Sequence, residues 1–134
     1  MDCEKVYRKA AEIKDRYIEL RHDLHIHPEL SMKEERTSAL VAQRLKELGI
    51  EVERGVGCAT SVIGTLRGGK PGRIVALRAD MDALPVEEAN DWSFRSQNSG
   101  VMHACGHDVH TSSLLGAAEI LASFRDELPG TVKF

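Results

Sequence analysis

The chain has 134 residues, 42% of them hydrophobic and 29% charged, and eighteen basic against twenty-one acidic side chains leave a formal net charge of −3. That balance suits one modest globular domain and speaks against a basic nucleic-acid-binding face, while no apolar run is long enough to span a membrane. The N-terminus lacks the basic and apolar regions of a signal peptide, and Cys3, Cys58 and Cys105 form an odd, scattered set. Both features argue against a disulfide framework and for a reducing cytoplasm.

Val6, Ala10, Ile13, Tyr17, Leu20 and Leu24 recur at spacings of four and three, which predicts an amphipathic helix. It should stop near His27-Pro28, because the proline disfavours helical geometry in the residue before it. Ser31-Met32-Lys33-Glu34 has the pattern of a capping box for a second helix. Thr37, Val41, Leu45 and Leu48 would form that helix's buried face, with Gly49 closing it. Ile50 to Glu53 alternates like a half-exposed strand, and Thr60 to Leu66 and Arg73 to Ala79 read as two more. The turn signal Gly68-Gly69-Lys70-Pro71-Gly72 joins these two. The unbroken apolar run Ile74 to Leu77 predicts a strand covered on both faces.

Residues 86–101 are polar and irregular, with an isolated Trp92 and Phe94, and read as a long loop of the kind that often carries function. A third helix is expected from Asp108 or Val109 to Arg125, burying Leu114, Ala117, Ala118, Leu121 and Phe124. Asp108 could cap it. Pro129-Gly130 reads as a turn into a last strand, Thr131 to Phe134. Helices and strands alternate, so the fold class is α/β.

The chemistry concentrates in Met102 to His110, where a thiol, three imidazoles and a carboxylate precede the alanine-rich helix. Cys105 and His107, two apart across Gly106, can both reach one divalent cation from a tight turn. Upstream, Asp80 and Asp82 stand where the apolar strand gives way to a loop. Metal-dependent hydrolysis is the first reading. Two ligands alone leave zinc under-coordinated, and the final strand reads as cut rather than finished, so the chain is expected to be part of a longer one.

Three motifs carry a resemblance. Arg21-His22-Asp23-Leu24-His25 with His27-Pro28-Glu29-Leu30-Ser31, then Ala76 to Pro85, then Gly100-Val101-Met102-His103-Ala104-Cys105-Gly106-His107-Asp108 occur in order. Together they resemble the aminoacylase-type metallopeptidase superfamily, in its N-acyl-amino-acid amidohydrolase branch of hippurate and auxin-conjugate hydrolases. The resemblance implies that residues 1–134 are the N-terminal part of a three-layer αβα catalytic domain, cut before an inserted lid domain. It further implies a site for two divalent metal ions, manganese or zinc, with Cys105 and His107 as ligands. The remaining ligands (a Glu and two His) and the catalytic Glu would lie beyond Phe134. Asp82 maps to the carboxylate that orients a metal-bound His in related branches, and Asp80 to the place of that motif's His. The implied reaction is hydrolysis of the amide bond of a small N-acyl amino acid by metal-activated water; oligomeric state is left open, a homo-oligomer included. Val109 departs from the branch's usual Gly, which implies at most a shifted substrate preference.

Other readings stand beside these. Cys105 could be an inert thiol or a nucleophile served by His103, His107 or His110. Asp80 and Asp82 could cap a turn before Pro85, and Asp108 could either cap its helix or partner a His ligand. His103 and His110 read as structural or solvated, and His22, His25 and His27 as serving fold and surface. The chain could also be a non-catalytic fragment that at most binds a metal or a partner chain, or a zinc-stabilised module using Cys105, His107, His103 and Asp108.

Overall fold

The computed structural model describes residues 2–134. Helix α1 runs Cys3–Ile26, and the Asp2 side chain accepts from the Glu4 amide at its start. The helix stops ahead of His27-Pro28, as the proline requires. Its buried residues Ile13, Leu20 and Leu24 lie on the face set by the apolar spacing, and His25 is buried at the edge of that face. Helix α2 covers Glu35–Glu47 and buries Thr37, Ser38, Val41, Ala42 and Leu45.

The capping box does not form. Glu34 holds the N-cap position without a side-chain cap; its carboxylate instead takes the Met32 amide at 3.0 Å and the Thr60 hydroxyl at 2.6 Å. The carboxylate of Glu29 does the capping, accepting from the amides of Arg36 at 2.9 Å and Thr37 at 2.8 Å. An anionic acceptor there suits both the unpaired amides and the helix dipole.

The strands are β1 (Glu51–Arg54), β2 (Val62–Arg67), β3 (Lys70–Ala76) and β4 (Pro129–Lys133), in the sheet order β1-β2-β4-β3. The first two pairings are antiparallel, and β3 runs parallel to β4. Only Gly68-Gly69 remain as the turn, because Lys70-Pro71-Gly72 already belong to β3, whose register shifts between Lys70 and Ile74. Pro129 and Gly130 likewise start β4 rather than turning into it. Gly130 has φ +78, and a Cβ there would meet the Arg73 carbonyl at 2.0 Å, so only glycine lets the two backbones approach.

Helix α3 spans His107–Ser123, and α1 packs along it, while α2 lies against β1, β2 and α3. Leu66 and Val132 face each other in register and join Leu20, Leu24, Val41, Leu45, Ile50, Leu115, Ala118 and Leu128 in the core. The fold is mixed α/β.

The expectation for β3 is corrected. Every residue of the strand is exposed, with Ile74 at 68% and Val75 at 52%. The strand lies at the edge of the sheet, with β4 on one side only. Its continuous apolar character is therefore present without the cover that such a run normally has. Ile74 and Val75 point to opposite faces beside an unpaired edge, a template for pairing with another chain. In sedimentation of the 134-residue chain, the mean mass should rise with concentration, and the double substitution Ile74→Lys, Val75→Lys should return it toward monomer. A wild-type chain that stays monomeric at all concentrations would contradict this.

Candidate metal-ligand site

Helix α3 begins inside the motif. Gly106 is its N-cap residue in the left-handed conformation, φ 77 and ψ 21. An L side chain rarely adopts that conformation, so glycine allows the sharp turn that sends His107 into the first helical position. Asp108 makes no cap.

His107 is the fixed point of the site. Its Nδ1 lies 2.9 Å from the Asp82 carbonyl oxygen and 2.9 Å from Asp82 Oδ1. Both are acceptors, so Nδ1 donates and the neutral ring keeps its lone pair on Nε2. Sequence reading placed these residues in separate motifs, and the fold joins them across twenty-five positions. Cys105 is exposed and unpaired, as are Cys3 and, half-buried, Cys58. Asp80 is not brought to His107. Its carboxylate accepts from Arg78 Nε at 2.8 Å and its carbonyl from the Thr111 hydroxyl at 3.0 Å.

Among the described residues, no group of three or more His, Cys, Asp or Glu side chains is arranged to hold a metal. Cys105 and His107 nevertheless fit such a group in kind: a free thiol, and an imidazole whose outer nitrogen is freed by a carboxylate on the inner one. The four-ligand set of Cys105, His107, His103 and Asp108 is not formed. His103 is buried with neither ring nitrogen hydrogen-bonded, and burial pushes its pKa below the ordinary value despite the nearby Asp108 carboxylate. His110 stands beside His107 with ring centroids 5.6 Å apart.

A cleft of about 300 Å³ opens next to Asp82, lined by Ser31, Glu34, Cys58, Thr60, Asp80 and Asp82 among others. No motif marks Cys58 as a site residue. Its thiol lies 3.3 Å from Thr60 Oγ1, and that hydrogen bond lowers its pKa.

The histidines of the first motif divide. His22 stacks on Phe94 at 4.0 Å, and His27 closes the end of α1 through Nδ1 and the Asp23 carbonyl at 2.9 Å. His25 is 1% exposed, with Nδ1 2.7 Å from Asp108 Oδ2 and Nε2 3.2 Å from Glu88 Oε1. Arg21 Nε lies 2.8 Å from the same Asp108 oxygen. Burial pushes the Glu88 pKa up, but donors from Ser96, Asn90 and His25 outweigh it and hold it below its ordinary value. No sequence signal marked Glu88, which sits in an irregular polar stretch.

Residues 76–134 match the model of peptidase family M20/M25/M40. The crystal structure of the Bacillus subtilis YxeP protein, described as a dinuclear metal binding peptidase of family M20, superimposes with a TM-score of 0.87 at 44% identity, over 92% of this chain and 34% of that one. Thermostable carboxypeptidase 2 of Saccharolobus solfataricus is 55% identical over 97% of this chain and 33% of its own length. The N-acyl-L-amino acid amidohydrolase of Geobacillus stearothermophilus is 48% identical over 100% of this chain and 36% of its own. The chain is thus similar to members of peptidase family M20 and to the latter amidohydrolase. It spans about a third of the length of these relatives. No helix among the described residues is long and apolar enough to cross a membrane.

Proposed function

We propose that residues 1–134 supply the first part of the catalytic domain of a metal-dependent amidohydrolase acting on N-acyl amino acids in a reducing cytoplasm. Cys105 and His107 would hold a divalent cation, manganese or zinc, as half or less of a ligand set completed by other polypeptide. The observation that carries this is the pairing of His107 Nδ1 with both acceptors of Asp82. That pairing selects the tautomer and fixes the ring so that Nε2 faces outward, the usual arrangement behind a metal-bound histidine. Asp82 is therefore the orienting carboxylate, with no direct part in bond breaking. When bound, the cations supply polarisation of the amide carbonyl and acidification of the attacking water. Within this chain, Cys105 contributes a negative thiolate ligand, and Gly106 sets the distance between the two ligand side chains.

The test is amine release from N-acetyl and N-benzoyl amino acids by the whole protein with added manganese or zinc. Release that falls to background on Cys105→Ala is expected, and release unchanged by that substitution overturns the reading. The 134-residue chain alone is expected to be silent, because hydrolytic zinc sites take three protein ligands.

A further inference from the structure

One buried imidazole joins α1 to two segments that neighbour the ligand turn. His25 meets a carboxylate at each ring nitrogen, Asp108 at 2.7 Å and Glu88 at 3.2 Å. Each ring nitrogen thus faces a carboxylate, and Arg21 Nη2 also lies 3.5 Å from Nδ1. Asp108 directly follows His107 and lies in the first turn of α3. Glu88 organises the loop that leads to the motif: its Oε2 accepts from the Ser96 amide at 2.6 Å, its Oε1 from Asn90 Nδ2 at 3.1 Å and its carbonyl from Arg95 at 3.1 Å. The same loop returns to the end of α1 through the Gln97 amide on the Ile26 carbonyl at 2.9 Å and Asn98 Nδ2 on the Pro28 carbonyl at 2.7 Å. The rings of Trp92, Phe94 and His103 stand 6.1, 5.7 and 6.3 Å from that of His25.

We infer that His25 is a positioning residue for the Cys105–His107 turn, acting on it through Asp108 while holding the 87–98 loop through Glu88. The geometry of the turn stands on its own; that the turn binds a metal rests on the proposed function. An imidazole that merely filled the core would contribute stability alone. A positioning imidazole has two separable arms, because asparagine places its amide donor where Nδ1 was and glutamine where Nε2 was.

The experiment compares His25→Asn and His25→Gln in the whole protein, with Cys3 and Cys58 changed to serine. Four quantities are read: thermal unfolding, the rate of Cys105 alkylation by iodoacetamide without metal, zinc affinity by competition, and amide exchange at Ser96. His25→Gln loses the Asp108 arm, so Cys105 alkylation should change several-fold and zinc affinity fall about tenfold, the lower range for loss of a supporting contact behind a metal ligand. His25→Asn should leave both near wild type and instead speed amide exchange at Ser96. Should His25→Gln fail to fold, Asp108→Asn preserves the shape while weakening the same arm, and should alter Cys105 in the same way. Two folded variants with equal losses of stability and wild-type Cys105 alkylation would overturn the inference. If the parent protein binds no zinc through Cys105, the proposed function fails, and the alkylation rates still decide the role of His25.

Discussion

Asp108→Ala is expected to destabilise the protein by about 3 kcal/mol, near the lower end of the cost of breaking a buried ion pair. The carboxylate is 1% exposed and receives Arg21 and His25 together. Its removal leaves a guanidinium and an imidazole without that counter-charge at the start of α3. Two features limit the cost: His25 keeps Glu88, and the Arg21 side chain is 24% exposed and can reach water. The midpoint of urea unfolding in the whole protein measures the effect, and a change below about 1 kcal/mol would mean the cluster is not a structural tie. Acid should act on the same cluster. Glu88 is held below its ordinary pKa, so its contribution is present above the unfolded-state value and lost as pH falls through the folded one.

Asp82→Ala is expected to weaken metal affinity about tenfold, at the low end of the tenfold to hundredfold range for removing a carboxylate behind a histidine ligand. The low end follows from the second acceptor, since the residue's own backbone carbonyl stays 2.9 Å from Nδ1. His107→Ala removes the ligand itself and should abolish binding at that position. Competition with a chromogenic chelator distinguishes the two. Equal losses from both substitutions would show that Asp82 is a ligand rather than an orienting group, and no loss from Asp82→Ala would show that the carbonyl alone fixes the ring.

Helices α1 and α2 were legible because local periodicity decides them, whereas α3 buries Thr111, Ser112, Leu115, Ala118 and Glu119 and, of its expected face, leaves Leu114, Ala117, Leu121 and Phe124 half-buried. The apolar spacing of α1 and α2 and the proline after His27 set their extents to within a few residues. The reading of β3 failed for a different reason. A run such as Ile74 to Leu77 reports what a strand is suited to, whereas cover comes from neighbours, and this chain supplies β4 on one side only. The cap of α2 was misassigned because Ser31 and Glu34 have the right spacing while Glu29, outside any cap pattern, has the right position in space.

In the site, the local part was visible and the tertiary part was not. Cys105, Gly106 and His107 are adjacent in sequence, so their common turn could be read directly. The pairing of Asp82 with His107 depends on the segment after β3 reaching the first residue of α3, and His25 finds Asp108 and Glu88 at separations of 83 and 63 residues. In a tract of three histidines, nothing local distinguishes the buried one from its half-exposed neighbours His22 and His27.

The central claim is that Cys105 is a metal ligand beside His107. It is tested most directly by loading the whole protein with cobalt(II) and recording the near-ultraviolet absorption of a cobalt–thiolate bond. The account predicts a thiolate-to-cobalt band that disappears in Cys105→Ser and persists in Cys3→Ser and Cys58→Ser. A cobalt-loaded protein without the band, or a band that survives Cys105→Ser, would contradict it.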